Sequence, residues 1–327
     1  MTSELSSLCS YAKGKVSVDT LSKRNYVSTE NMMPNKGGIV DAGALPSAQY
    51  TQQYIKDDIL VSNIRPYFKK IWMADDDGGC SNDVLVFRAD RGCDSTFLYY
   101  ILANDAFFNY ASATSKGTKM PRGDKTAIMQ YKVPCFNYET QLRIGKLLRS
   151  IDDRIAVNKK INDNLQQQAT AFFSSLYDRS NTEVRFTDLI QILGGGTPKT
   201  GENTYWNGNI AFFTPKDVGT PYTLITEKTI SEEGLSHCNS RLYPVNTVFV
   251  TARGTVGKVG ISGVPMAMNQ SCYALVGKET HQLLVYFYTL KAVDRLKHKA
   301  SGAVFDAITT RDFESEQIMK LSDDDAT

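Results

Sequence analysis

The sequence is poor in the residues that build metal sites and disulfide frameworks. It has three histidines, and its six cysteines are scattered without a C-x-x-C pair. Zinc sites need ligands grouped at short spacings, so we predict no metal site and reduced thiols. The longest apolar stretch, residues 283–290, is far too short to span a bilayer, and residues 1–14 lack the apolar segment of a signal peptide. We therefore expect a cytoplasmic protein without membrane contact.

The loops that bind nucleotides or carry out catalysis are also missing. Residues 194–200 (GGGTPKT) come close to a phosphate-binding pattern, but Pro198 precedes Lys199 where that pattern needs glycine. Neither a dinucleotide-binding glycine pattern nor the Asn/Asp-Pro-Pro-aromatic tetrapeptide of a DNA methyltransferase occurs. The histidines have no nucleophile-elbow context, and residues 75–77 (DDD) precede two glycines, as in a solvated turn. These absences argue against nucleotide binding and base methylation, and they leave a Ser-His-Asp triad open.

What the chain does contain is a sequence repeat. Residues 54–65 (YIKDDILVSNIR) align with residues 242–253 (LYPVNTVFVTAR) at an offset of 188, and at that offset Lys70 falls on Lys258. Residues 97–102 align likewise with 285–290, whereas 27–29 align with 213–215 at a slightly smaller offset. Two similar modules are typical of a protein that reads two places on one extended partner.

Each module combines short strands with a helix. The predicted strands are 59–64, 70–73 and 84–88 in the first module, and 247–252, 258–262 and 271–276 in the second. Helical stretches follow at 95–111 and near 281–299. The predicted fold class is α+β: two similar domains, residues 1–136 and 179–327, joined by a long coiled-coil-type helix at residues 137–178.

The connector has the periodicity of a coiled coil. Asn137 is the predicted N-cap, and no proline or glycine interrupts the segment after Gly145. A 4-3-4-3 spacing, which averages the repeat of a left-handed coiled coil, connects Ile144, Leu148, Ile151, Ile155, Asn158, Asn162, Leu165, Ala169, Phe172 and Leu176. Residues 139–176 would extend about 57 Å. Such a stripe predicts a second helix packed against it.

Two interpretations of Asn158 and Asn162 stay open. They face solvent where the partner surface ends, or they are buried and fix the register and number of partner helices, as asparagines do in dimeric coils.

Basic residues cluster at equivalent places in the two modules. The first cluster is Lys116, Lys119, Arg122, Lys125 and Lys132, and the second is Lys291, Arg295, Lys297 and Lys299. Arg65 and Lys70 also recur as Arg253 and Lys258. Basic residues that merely complement helix dipoles would look similar, but the recurrence favours contacts with the phosphates of duplex DNA.

The charge balance leaves a second class of protein open. The net charge is only +2, which is weak support for nucleic-acid binding over the whole chain. A coiled-coil interaction scaffold without DNA binding is therefore the alternative, and an enzyme with an unrecognised site ranks third.

Together these segments resemble the DNA-specificity subunit of type I restriction-modification systems. The matching segments are 139–144 (ETQLRI), 151–152 (ID), 193–198 (LGGGTP), 205–210 (YWNGNI), 213–218 (FTPKDV), 253–260 (RGTVGKVG) and 269–271 (NQS). They are specific as a set, and the resemblance covers nearly all the chain.

The resemblance implies two target recognition domains that each read one half of a bipartite site in double-stranded DNA. It also implies a spacer helix that sets the gap and docks the modification subunits. S-adenosylmethionine, ATP and Mg would serve the partner modification and restriction subunits, and this chain would have no catalytic residue and no cofactor of its own. The residues expected to contact DNA are Arg65, Lys69, Lys70, Lys116, Lys119, Arg122, Lys125, Thr197, Lys199, Lys216, Arg253, Lys258, Lys297 and Lys299.

One departure from the family pattern concerns the end of the sequence. Family members usually carry a second, antiparallel spacer helix after the second recognition domain, and residues 321–327 stand where it would begin. We therefore expect the stripe to find its partner in trans, in a second copy of the chain, a separate polypeptide or a partner subunit. The alternative is an inactive truncated allele.

Overall fold

The computed structural model describes residues 2–219, 221–278, 280–299, 306–322 and 324–326. Its contacts divide the chain into two compact units, Met1–Ile161 and Asn162–Thr327. The division falls inside one long helix, so the domain limits expected at residues 136 and 179 stay a prediction. No helix within the described ranges is long and apolar enough to cross a membrane.

The first unit consists of short strands and three helices. Its strands are β1 (Thr2–Glu4), β2 (Cys9–Tyr11), β3 (Lys15–Ser17), β4 (Tyr26–Val27), β5 (Tyr50–Tyr54), β6 (Ile59–Ser62), β7 (Ile71–Met73), β8 (Gly78–Cys80), β9 (Val84–Ala89) and β10 (Lys132–Pro134). Its helices are α1 (Ser95–Leu102), α2 (Asp105–Ala113) and α3 (Lys125–Met129). The strands β2, β9, β6 and β7 form an antiparallel central sheet in that order, and β3, β5, β8 and β4 form a second sheet.

The central strand β6 is buried on both faces. Ile59 and Val61 join the cluster of α1 and α2, whereas Leu60 joins residues of the second sheet. Successive strand residues point to opposite faces, so a strand covered on both sides needs an unbroken apolar run. The sequence ILV at residues 59–61 supplies it, and the strand predicted here is confirmed.

Residues 95–111, predicted as one helix, form two helices, so the prediction of a continuous helix here was wrong. Asn104 ends the first helical segment and caps α2, because its side chain accepts a hydrogen bond from the Ala106 N–H at 2.9 Å. An asparagine at this position favours a cap over a helix interior.

The long helix α4 (Tyr138–Arg179) confirms the predicted connector. The Asn137 side chain accepts a hydrogen bond from the Thr140 N–H at 2.9 Å, as expected of its N-cap. Gly145 lets α4 approach α1 closely, because a Cβ there would lie 2.8 Å from Asp94 Oδ1.

The second unit repeats this architecture. Its strands are β11 (Thr182–Arg185), β12 (Ile190–Gly194), β13 (Trp206–Phe213), β14 (Tyr222–Thr223), β15 (Lys228–Ile230), β16 (Val248–Thr251), β17 (Val259–Ser262), β18 (Met266–Met268), β19 (Cys272–Gly277) and β20 (Gln317–Lys320). Its helices are α5 (Phe186–Leu189), α6 (Glu232–Ser236), α7 (Gln282–Lys299) and α8 (Thr310–Glu314). The central sheet has the order β12, β19, β16, β17, β14.

The repeat is visible in strand register, but the central strands β6 and β16 correspond at an offset of 189 and not at the 188 of the sequence alignment, because Thr251 pairs with Cys272 as Ser62 pairs with Val84. β18 and β19 lie 188 residues after β8 and β9. The parallel pair Val27↔Cys80 corresponds to Phe213↔Met268, which uses offsets of 186 and 188. The slightly smaller offset seen in the sequence therefore reflects real structural equivalence.

Candidate nucleic-acid interface

The recurrent basic residues lie in two corresponding loops. Loop A, residues 63–70, joins β6 to β7, and loop B, residues 252–258, joins β16 to β17. Both strand pairs are antiparallel neighbours in the central sheets. Each unit therefore presents basic side chains from the same place in its own sheet.

Loop A has a fixed backbone. Arg65 and Lys69 adopt left-handed conformations, with φ of 51° and 52°, on either side of the turn Pro66–Phe68. This conformation is uncommon for residues other than glycine, so neighbouring structure must hold it. Three backbone hydrogen bonds of 2.8 Å connect loop A to its neighbours: Arg65 N–H to Pro121 O, Asn35 N–H to Phe68 O, and Lys36 N–H to Lys69 O.

The lysines of loop A have different surroundings. Lys69 Nζ lies 3.0 Å from Asp105, which Lys36 Nζ also approaches at 2.8 Å. Hydrogen bonds from both lysines hold the pKa of Asp105 below its usual range, so the carboxylate stays charged and partly neutralises them. Lys70 Nζ donates to the Thr29 carbonyl at 2.6 Å, a contact that stabilises the fold.

The segment 116–122 forms a narrow backbone pair beside loop A. Lys116 and Arg122 exchange two hydrogen bonds of 2.9 Å, and Ile64 bridges to Arg122. The structure thus brings Arg65 close to Lys116 and Arg122, although Arg65 is about fifty residues away from them in sequence.

The side chains of this segment are exposed. Lys116 pairs with Asp124 at 2.5 Å and lowers the pKa of that carboxyl, while Arg122 pairs with Asp83 at 3.0 Å. Lys119 is exposed and makes no ion pair with the described residues. Lys125 lies nearby, with Nζ 6.0 Å from the centre of the Tyr11 ring.

Loop B uses glycine where loop A uses bulky residues. Gly254 and Gly257 have φ of 80° and 72°, which glycine adopts without strain. The Gly257 carbonyl accepts a hydrogen bond from Lys297 Nζ at 3.0 Å. Arg253 and Lys258 of loop B are exposed, whereas the basic residues of loop A, Arg65, Lys69 and Lys70, are half-buried.

Lys299 lies next to a buried acid. Its Nζ is 2.5 Å from the carboxylate of Glu316, which is 1% exposed, so the lysine stabilises that charge. Gly302, which follows the second basic cluster in the sequence and could form a turn there, lies outside the described residues.

The remaining predicted contacts surround the glycine-rich segment of the second unit. The Thr197 hydroxyl donates to the Gln270 side chain, and the Lys199 carbonyl accepts from Trp206 Nε1 at 3.2 Å. Lys216 pairs loosely with Glu227 at 3.5 Å. The Lys199 side chain is left exposed at the surface.

Sequence reasoning missed four side chains of the first unit. Lys36 reaches Asp105, 69 residues away in sequence, only through the fold. Tyr67, Phe68 and Met120 are 51%, 39% and 51% exposed around loop A. The aromatic pair beside Lys69 and Lys70 was a usable signal, because exposed aromatics among cations are unusual.

The predicted helix stripe divides into three parts. Ile144 and Leu148 are half-buried in the first unit, and Leu176 is buried in the core of the second. Leu176 therefore cannot contact a partner helix, because its own unit covers it. The other predicted seam positions are exposed: Ile151, Ile155, Asn158, Asn162, Leu165, Ala169 and Phe172.

The exposed apolar face also includes residues outside the predicted spacing. Leu147 and Ile161 are 62% and 49% exposed, and they lie on the same side of α4 as Leu165 and Phe172 at 100° per residue. The accessible apolar stripe consists of Leu147, Ile151, Ile155, Ile161, Leu165 and Phe172.

The thiols are not arranged for metal binding. No group of three or more His, Cys, Asp or Glu side chains among the described residues could hold a metal ion. Burial raises the pKa of the Cys80, Cys93 and Cys272 thiols to about 12, so these cysteines stay protonated at neutral pH.

The fold with its duplicated sheets and basic loops corresponds to one known family. The sequence model described as "Type I restriction modification DNA specificity domain" matches residues 1–167 and 179–320. The chain belongs to this family, and the resemblance seen in its motifs is confirmed.

Two curated relatives and one solved structure illustrate the similarity. The chain is 31% identical over 127 residues to the type I restriction enzyme MjaIX specificity subunit of Methanocaldococcus jannaschii, covering 37% of this chain and 29% of the relative. It is 29% identical over 169 residues to the EcoR124I/EcoR124II specificity subunit of Escherichia coli, covering 48% and 42%. The matched segments thus span less than half of either relative.

The structural match extends further than the sequence matches. The S subunit of a type I restriction-modification system from M. genitalium superimposes with a TM-score of 0.63 over 98% of this chain and 84% of that one. At 15% identity, this match concerns the fold. The predicted α+β class with two similar domains and a long helix is confirmed.

Proposed function

We propose that the chain is a non-catalytic DNA-reading subunit of a type I restriction-modification complex. Each unit reads one half of a bipartite site, and the cations of loops A and B contact phosphates beside the bases that are read. The observation that carries this proposal is the placement of basic side chains in the same β-loop-β connection of both units, where they are half-buried in loop A and exposed in loop B. Family membership supports the same conclusion.

The cations divide into those available to DNA and those engaged elsewhere. Lys119, Lys199, Arg253 and Lys258 are exposed and supply the salt-dependent part of the affinity. Lys70, Lys297 and Lys299 bind protein oxygens at 2.6, 3.0 and 2.5 Å, so their contribution to DNA binding is secondary.

Helix α4 sets the gap between the two half-sites and docks partners through its accessible apolar stripe. Six large apolar side chains that are 47–68% exposed on one helix support this role, since such surface is stabilised by burial. The partners are modification subunits, restriction subunits, or a second copy of the chain. S-adenosylmethionine, ATP and Mg act in the modification and restriction subunits, and the complex works in the cytoplasm.

The test is to co-express the chain with the modification subunit encoded beside it and to map methylated bases in the host genome. We expect a two-part motif with a fixed gap, methylated on both strands. Substituting Arg253 and Lys258 with glutamine should reduce methylation of the whole motif, whereas Lys132→Gln, which alters a lysine paired with Glu4 outside both loops, should not.

DNA retention separates a defective complex from a wrong function. A DNA reader is retained on duplex DNA at low salt and released by moderate salt. Flow-through together with an absence of new methylation would overturn the proposal in favour of the interaction scaffold.

A further inference from the structure

Loop A carries an apolar tip that the phosphate contacts do not explain. The tip consists of Tyr67 and Phe68, which are 51% and 39% exposed, and the two segments bonded to loop A add Met33 and Met120, which are 40% and 51% exposed. The Tyr67 and Phe68 rings contact each other, with centroids 4.8 Å apart. Exposed aromatic surface of this kind indicates a binding contact.

The tip is presented rigidly. The left-handed residues Arg65 and Lys69 bracket the turn that carries both rings, and Pro66 at the base of the turn is buried. Hydrogen bonds of 2.8 Å fasten loop A to residues 35–36 on one side and to Pro121 on the other. The rings are therefore already ordered before any partner arrives.

The charge around the tip selects the partner. Seven cations lie on loop A and its two neighbouring segments: Lys36, Arg65, Lys69, Lys70, Lys116, Lys119 and Arg122. Three carboxylates pair with them: Asp83, Asp105 and Asp124. Apolar side chains within a cationic rim fit a polyanion with flat apolar faces, and stacked base pairs have both properties.

We infer that Tyr67 and Phe68 act as a wedge that inserts between neighbouring base pairs in the half-site read by the first unit. This inference rests on the proposed function. Partial unstacking costs least at pyrimidine–purine steps, so the wedge selects such a step through DNA deformability rather than base-edge hydrogen bonds.

The second unit provides an internal contrast. Between corresponding strands, loop A has eight residues and loop B has seven, Ala-Arg-Gly-Thr-Val-Gly-Lys. Loop B has no aromatic side chain, so unstacking is confined to one half of the bipartite site. The two half-sites are thus read by different means on the same framework.

The test uses the full chain with a pool of randomised duplexes, followed by fluorescence of 2-aminopurine placed at successive steps of the selected site. Wild type should select a pyrimidine–purine step in one half-site and raise the fluorescence there, but not in the other half. Tyr67→Ser alone, and with Phe68→Ser, should remove this signal and weaken binding about tenfold while leaving the salt slope unchanged. Tyr138→Ser is the matched control, because Tyr138 is 50% exposed but lies at the start of α4.

Each other outcome counts against the wedge in a different way. If wild type binds DNA without any fluorescence increase, or if the double variant keeps the increase, the wedge is wrong while DNA reading stands. The tip would instead belong to a protein interface if the double variant kept the DNA affinity and fluorescence of wild type but failed to co-purify with the modification subunit. Failure of wild type to bind any duplex would overturn the proposed function itself, and the wedge with it.

Discussion

At the scale of single residues, the first unit contains a buried carboxylate balanced by one arginine. The Asp58 side chain is 2% exposed and accepts hydrogen bonds from Arg88 Nε and Nη2 at 2.8 and 2.7 Å. It also accepts one from the Ile55 N–H at 2.9 Å. The pair fixes the turn before β6 against β9, and therefore positions the strand that leads into loop A.

Removing the arginine alone should destabilise the chain. Arg88→Met leaves the buried Asp58 charge without its partner, and we expect a loss toward the lower end of about 3–5 kcal/mol, because Arg88 is partly exposed. Urea unfolding of the full chain measures this, with Arg91→Met, an exposed arginine of the same unit, as control. Equal unfolding midpoints for the two variants would show that the ion pair contributes nothing.

The cations beside loop A should act on affinity without regard to sequence. Neutralising Lys116, Lys119 and Arg122 to glutamine should weaken binding to every duplex and flatten the salt slope by up to about 0.9 for each phosphate that is no longer neutralised. Salt titrations of binding to specific and unrelated duplexes measure both effects. Lys119→Gln alone should account for most of the change, because the other two cations are already paired with acids.

An unchanged slope in that triple variant would remove this segment from the DNA surface. Lys132→Gln is again the suitable control, since Lys132 belongs to the same basic stretch of sequence but pairs with Glu4.

At this scale, the sequence identifies the basic residues but not the groups that each of them binds in the folded chain. Arg65 with Lys70, and Arg253 with Lys258, were recognisable because they recur at a fixed offset. Lys70 binds the Thr29 carbonyl, 41 residues away. This contact depends on the fold, so the sequence around Lys70 does not show it. Long-range contacts of this kind also determine that Lys36 joins the surface around loop A.

At the scale of elements, α4 shows where periodicity is informative and where it fails. The spacing predicted a continuous helix, and the helix is continuous. The same spacing assigned Leu176 to a partner, whereas the second unit buries it. A heptad pattern records which face of a helix is apolar, but not whether the same chain or another one covers it.

The accessible stripe should control partner binding. Ile161→Gln with Leu165→Gln removes two exposed apolar side chains, and since burying each contributes about 1.5–3 kcal/mol, binding to the partner should weaken at least tenfold. Co-purification with the modification subunit, together with light scattering over a dilution series, measures this for both kinds of partner. Ala156→Gln is the control, because Ala156 is exposed but lies on the opposite face of α4 at 100° per residue.

Weaker binding in the Ala156 variant as well would mean that the whole helix surface, rather than the stripe, meets the partner. Two results together would show that α4 is not the docking surface. The wild-type chain would stay monomeric at every dilution, and the Ile161→Gln, Leu165→Gln variant would bind the modification subunit as well as wild type does.

The break between α1 and α2 marks another limit of sequence reasoning. Residues 95–111 are apolar at helical spacing, which predicts one helix. Asn104 redirects the chain because it competes with the backbone for the first amides of α2. In the second unit the corresponding helix α7 runs unbroken over Gln282–Lys299.

At the scale of the whole molecule, the repeat was the strongest sequence signal, because its apolar strands must be buried on both faces in each unit. Phe249 and Leu60 occupy corresponding central strands and point into the second sheets of their own units. The loops could not be predicted in this way. No packing constraint is shared between the glycines of loop B and the rings of loop A.

This separation of framework from loop bears on how such chains diversify. Strand register is kept across the two units, while loops A and B differ in backbone conformation and in side chains. Selection for stability and selection for recognition therefore act on different positions. A lineage can accumulate changes in what one unit reads without eroding the solubility or folding of the other, so new specificities can arise at little cost to fitness.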